Sequence, residues 1–147
     1  MSTTDAPVSA LAVVQGWISA LLARSGPPPH DRYWADDATI VVPRSLPYGG
    51  VYPRDRFGDY GRALMTSWEV GRVPEPKLTD AGDRVYLEGR FVATARATGT
   101  AVDQPMVEVF TVEGGRISSD TLYFQDVAEI AAALGGGTGP QPPTATP

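Results

Sequence analysis

Apolar and polar positions along this chain divide it into a helical first half and a sheet-like second half. Leu11, Val14, Ile18, Leu21 and Leu22 recur at helical spacing. Asp5 and Pro7 precede them and suit a first turn, where an acid meets the dipole and a proline loses no hydrogen bond. Gly26 and the run Pro27-Pro28-Pro29 end that helix. A second, short helix is expected over roughly His30 to Asp36, carrying Tyr33 and Trp34 toward the core, with Asp36 and Asp37 closing it and bonding the turn. Thr39 to Val42 is short, apolar and β-branched, which reads as a strand. Ser45 to Tyr52 is rich in Gly and Pro and reads as a loop. Pro53 opens a third helix, on which Phe57, Tyr60, Leu64 and Trp68 form one apolar face. Gly58 and Gly61 each weaken that helix by up to ~1 kcal/mol relative to Ala.

From Glu69 onward the period changes from helical to two. Glu69 to Leu78 holds Pro74 and Pro76 and so reads as a ragged edge strand. Arg84 to Arg96 alternates, with Val85, Leu87, Phe91, Ala93 and Ala95 on one face and Tyr86, Glu88, Arg90, Thr94 and Arg96 on the other. Ala97 to Asp103 turns the chain. Pro105 to Val112 and Arg116 to Phe124 form a hairpin across Glu113-Gly114-Gly115. A last helix runs from Asp126 to Leu134 and stops at Gly135. Helices first and strands after predict an α+β fold: a curved, mixed but mostly antiparallel sheet wrapped around the N-terminal helices. Such a cone leaves an interior that is the natural place for a ligand. One domain is expected over residues 1–134, with the Gly/Pro-rich residues 135–147 as a disordered tail.

Composition removes several function classes. The net charge is -5 and no Lys/Arg run occurs, so no nucleic-acid partner is expected. There is no cysteine, hence no disulfide framework and no thiolate zinc site. With one histidine, no metal site of familiar spacing arises. His30 follows three prolines and reads as exposed and inert. No Walker loop, G-x-G-x-x-G fingerprint or G-x-S-x-G elbow is present, so no cofactor is expected. No basic N-terminal leader and no apolar stretch of membrane-spanning length is seen. Together these suggest a cytoplasmic protein without a membrane partner.

Three stretches carry a resemblance: Ala-Asp-Asp-Ala-Thr at 35–39, Leu-Pro-Tyr-Gly-Gly-Val-Tyr-Pro-Arg-Asp-Arg-Phe at 46–57, and Val-Glu-Val-Phe-Thr-Val-Glu-Gly-Gly-Arg-Ile with Tyr-Phe-Gln-Asp at its end, within 107–126. With the element order, they make the chain resemble the SnoaL-like polyketide cyclases and ketosteroid isomerases, whose fold is that of nuclear transport factor two. The resemblance covers roughly Val8 to Leu134. It implies that Glu108 stands where the isomerase carries an acid that donates to an oxyanion. It puts Trp17 at the place of the oxyanion tyrosine, where an indole donates a hydrogen bond but relays no proton. The base position falls on Val42. Valine lifts no proton, so a steroid double-bond shift is rejected. By period two Ser118, Asp120, Leu122 and Phe124 share a strand face. Phe124 matches a pocket aromatic of the isomerase, and Asp120 matches the acid/base aspartate of SnoaL-like cyclases.

The catalytic candidates are therefore Glu108, Asp120 and Trp17. The candidate ligand wall is Trp34, Val42, Tyr60, Leu64, Met106, Phe110, Leu122 and Phe124, each of which also serves as plain core. The bland reading of Glu108 is a solvated or cross-strand-paired side chain, and that of Asp120 a polar strand face. The expected function is a small natural-product cyclase closing a ring in an apolar linear substrate, a polyketide or related compound. The closure is by a held shape with hydrogen-bond help, [4+2] or aldol in type. Two alternatives stand beside it. One is a non-catalytic binding or dimerisation module. The other resembles limonene epoxide hydrolase, with Arg90 and Glu88 joining Asp120 or Glu108 in an acid–Arg–acid set. The bland reading of Glu88 and Arg90 is a surface ion pair with each other. A homodimer through the convex sheet face is implied by the resemblance.

Overall fold

The computed structural model describes residues 8–23 and 26–135. Asp5, Pro7 and the tail expected beyond Gly135 lie outside these residues. The elements are α1 (Ala10–Ala23), α2 (His30–Tyr33), β1 (Trp34–Val42), β2 (Gly50–Pro53), α3 (Phe57–Ser67), β3 (Trp68–Val70), β4 (Lys77–Asp80), β5 (Arg84–Ala95), β6 (Ala101–Glu113), β7 (Arg116–Phe124) and α4 (Val127–Ala133). The strands form one sheet in the order β2-β1-β7-β6-β5-β3, with β4 also on β5. β1 runs parallel to β7, and every other pairing is antiparallel. The expected α+β fold, a mixed sheet curled over helices, is what forms. α1 packs across β4, β5, β6 and β7, so it lies inside the curl.

Local chemistry explains the boundaries. The Ser9 hydroxyl accepts the Ala12 N–H at 3.1 Å and caps α1. The helix buries Val13, Val14 and Trp17. At the β6–β7 hairpin, Gly114 and Gly115 have φ of 60° and 79°. That pair of left-handed residues makes the tight turn that suits two twisted strands. Asp126 Oδ1 caps α4 by accepting from Glu129 N at 3.1 Å. Buried Gln104 ties α4 to β6: its Nε2 donates to the Asp126 carbonyl and the Glu129 carboxylate, and its Oε1 accepts from Asp126 N.

Several expected boundaries move. The second helix ends at Tyr33, and β1 already begins at Trp34. Asp36 and Asp37 therefore lie within a strand, at a break in the β1–β7 register between Trp34 and Thr39, and do not close a helix. The end of the expected loop Ser45 to Tyr52 is strand: β2 pairs with β1, placing Tyr52 opposite Ile40. Pro53 ends β2; a 3-10 turn at Arg54–Arg56 precedes α3, and Trp68 opens β3 in place of closing the helix. The ragged edge resolves into β3 and β4, both paired with β5. β6 starts at Ala101, four residues before the expected Pro105.

Candidate functional site

The helix-covered face of β6 and β7 carries two carboxyl groups. Glu108 stands opposite Leu122 on β7 and Leu87 on β5. Asp120 stands opposite Phe110 on β6 and Ile40 on β1. Glu108 and Asp120 are thus diagonal neighbours on one sheet face, within reach of each other's side chains, and each shifts the other's ionisation. The inward phase of Asp120 depends on a bulge. Thr111 pairs with Ser119 and Val112 with Ile117, so Ser118 is the extra residue. Its Oγ donates to the Thr111 carbonyl at 3.2 Å. Ile117, fully buried, therefore shares the inner face with Asp120, and the expected Ser118 does not.

Burial governs the chemistry of the pair. Desolvation pushes the Asp120 carboxyl well above the usual range, and the charge and hydrogen bond of Glu108 push it further. Desolvation also raises Glu108, partly offset by its hydrogen bond to Asp120. Glu108 is only half-buried by surface area, yet desolvation dominates its ionisation. Its side chain keeps accessible surface although protein closely surrounds it. Asp120 Oδ1 is buried and finds no N–H or hydroxyl donor. Two carboxyls approach each other at low cost only when one of them holds a proton, and both shifts run in that direction.

A file of aromatic side chains runs out from the pair. Tyr60, from α3, has its phenol held well above the usual value by desolvation, then by Glu108 and Asp120, and then by Tyr48 and Tyr52. The Tyr60 ring lies 5.2 Å from Tyr52 and 6.4 Å from Tyr48. Trp68 Nε1 donates to Tyr48 Oη at 2.9 Å. That bond lowers the Tyr48 phenol but only partly offsets the larger desolvation that raises it. Trp68 meets Phe91 at 5.0 Å, and Phe91 meets Phe124 at 5.4 Å. Phe124 pairs with Met106, next along the sheet face from Glu108. The chain of rings thus begins and ends at the carboxyls. Glu108, Met106, Phe91, Phe124, Tyr60 and Tyr48 all keep accessible surface here.

Of the candidates read from sequence, Glu108 and Asp120 come together. Val42 and Leu122 are buried beside them, and Tyr60, Leu64, Met106 and Phe124 are half-buried against the same core. Trp34 is fully buried, with its ring 6.4 Å from Phe110. Trp17 lies in a different aromatic group, against His30, Tyr33 and Trp34. His30 is not the inert surface residue expected. It is half-buried, stacked on Trp17 at 5.4 Å and edge-on to Phe57. Arg90 is not at the site and does not pair with Glu88. It stands on the opposite sheet face, where its Nε donates to Asp103 at 2.7 Å, and Glu88 is exposed beside Lys77. The pleat that turns Leu87 inward turns Glu88 and Arg90 outward, so the epoxide-hydrolase set is not assembled. Tyr48, Tyr52, Trp68 and Phe91 were not foreseen as site residues. The β-branched and aromatic Val51-Tyr52 after Gly49-Gly50 was the available signal for β2.

The profile of the SnoaL-like domain matches residues 14–119. The chain belongs to the SnoaL-like family. No curated protein matches it. Among solved structures, the SnoaL-like chain is similar to an NTF2-like protein of Burkholderia xenovorans at 17% identity and TM-score 0.74, covering 88% of this chain and 99% of that one. It is similar to an NTF2-like protein of Burkholderia pseudomallei at 24% identity and TM-score 0.73, covering 86% and 97%. A candidate SnoaL-like polyketide cyclase of Mesorhizobium loti matches at 20% identity and TM-score 0.67, covering 79% and 99%. At these identities the likeness is one of fold. No helix among the described residues is long and apolar enough to cross a membrane.

Proposed function

We propose that this SnoaL-like protein is a cofactor-independent cyclase, acting in the cytoplasm on a mostly apolar linear polyketide or related molecule. The observation that carries this reading is the pair of neighbouring carboxyls Glu108 and Asp120, both raised by desolvation, on the concave face beside Tyr60. A neutral acid in an apolar recess donates to a substrate carbonyl without first losing its proton to water. In an aldol-type closure the ionised partner of the pair lifts a proton alpha to one carbonyl, and the protonated partner hydrogen-bonds the other. In a [4+2] closure no net proton moves, and the pair only polarises a conjugated carbonyl. Val42 supports the second form, because the base expected at that place is an apolar, buried side chain. Holding the reacting carbons together contributes up to ~7–11 kcal/mol. Trp34, Leu64, Met106, Phe110, Leu122 and Phe124 form the wall of the recess in this reading, and Trp17 buttresses it through Trp34.

The test is turnover of linear polycarbonyl and polyene-carbonyl compounds. Glu108→Gln and Asp120→Asn are each expected to lose about 10²–10⁴-fold if protons move. Full activity in both variants contradicts the acid role and leaves the shape template. Filling the recess with Leu64→Trp is expected to abolish turnover in either form.

The same reading includes a homodimer. On the convex face Val51, Val41, Thr121, Val109 and Tyr86 stand opposite one another in turn across β2, β1, β7, β6 and β5. Exposed Tyr123 extends this apolar row beside Val107. A contiguous row of this kind suits a self-complementary contact.

A further inference from the structure

The carboxyl pair lacks a counter-charge. Among the described residues no Arg or Lys acts on Glu108 or Asp120. The titratable groups that face them are Tyr60 from α3 and, through it, Tyr48 from the β1–β2 loop and Tyr52 from β2. Among the described residues buried Asp120 Oδ1 has no donor. A buried carboxylate is stable when paired with a cation, and without one it favours holding a proton.

A file of six rings runs out from the pair, starting at Tyr60, with Trp68 fully buried within it. Tyr52, Tyr60, Tyr48, Trp68, Phe91 and Phe124 follow one another at 5.0–6.4 Å between ring centroids, with the Trp68–Tyr48 hydrogen bond as the one link that is not a ring contact. Ring faces carry negative potential, and an arc of them attracts a weakly hydrated cation. Aromatic walls and a carboxyl floor are two independent features with the same preference. A neutral apolar ligand uses only the first.

We propose that this recess takes a small alkylated ammonium group, seated within the aromatic arc with its charge on Glu108 and Asp120, and that the cation displaces the proton the two carboxyls share. The cation takes over the role of the proton, and the proton leaves to solvent. This inference rests on the recess of the cyclase reading but not on ring closure. It widens the substrate class to apolar molecules bearing a tertiary or quaternary amine.

The experiment compares choline with 3,3-dimethylbutan-1-ol, its neutral carbon isostere, on the full chain by titration calorimetry. Choline is expected to bind at least about tenfold more tightly. In buffers of different ionisation enthalpy, across the pH range where the pair titrates, its binding is expected to release up to one proton. Asp120→Asn and Glu108→Gln should each erase the preference and the proton release. Arg90→Gln, on the opposite sheet face and paired with Asp103, should keep both. Equal binding of the two ligands, choline binding without proton release, or an unchanged preference in both carboxyl variants overturns the proposal. If a carbonyl compound turns over while choline shows no preference, this inference alone falls. If choline binds with proton release while no carbonyl compound turns over, ring closure alone falls. If neither ligand class binds, both fall.

Discussion

At the scale of single residues, Asp120 decides the electrostatics of the molecule. Its carboxyl is pushed up by burial and then by Glu108, which makes stability depend on pH with a definite sign. Above the ordinary carboxylate range the unfolded chain has lost this proton while the native pair still holds it. The native state then binds more protons, so stability falls as pH rises from about 4 to the raised midpoint of the pair. Below that window the pair contributes no slope. Asp120→Asn removes the shared proton, and denaturant unfolding across this range should show a flatter profile than the parent. A parent profile already flat would contradict a raised pair. Trp68→Phe removes the donor to Tyr48, whose phenol should titrate still higher in a difference-absorbance experiment, with a stability loss of about 1 kcal/mol. Both acids were legible as residues, because a Glu between Val107 and Val109 and an Asp in a strand are visible in the pattern. Their meeting was not, since it needs the register of β6 on β7 and the bulge at Ser118.

At the scale of elements, two glycines make opposite predictions. A Cβ on Gly49 would sit 1.9 Å from the Pro43 carbonyl oxygen and 2.8 Å from Arg44 Cα, both of them backbone. Gly49→Ala should therefore cost about 1–3 kcal/mol, because the β1–β2 connection must open. A Cβ on Gly61 meets nothing within 4 Å on α3, so Gly61→Ala should stabilise by up to ~1 kcal/mol. Thermal or urea unfolding of the two variants reads both signs. Asp126→Ala removes the α4 cap and should cost about 1 kcal/mol. The long alternating strands β5 and β7 were legible because one face is buried and the other is not. The short elements were not. His30 to Tyr33 is a single turn whose end is set by Trp34 entering the sheet, and β2 is a strand only because β1 lies beside it.

At the scale of the whole molecule, segregation of helices from strands was enough to give the fold class. It did not give the parallel β1–β7 pairing that places Ile40 beside Asp120. Sequence-adjacent strands pair by hairpins that can be read in turns, whereas β1 and β7 meet only through closure of the curl. The convex apolar row predicts association. Sedimentation should show a dimer, and Val109→Glu or Tyr123→Glu should give monomers with the recess intact. A monomeric parent would contradict the dimer without touching the site.

The central claim is that Glu108 and Asp120 share one proton inside the curl. The most direct measurement is a carbon-13 NMR titration of side-chain carboxyls in the labelled protein, with Glu108→Gln and Asp120→Asn used for assignment. The account predicts two resonances that titrate together, with one proton retained well above the range of the exposed acids and the coupling lost in either variant. Two independent carboxyls titrating with the exposed acids would contradict it.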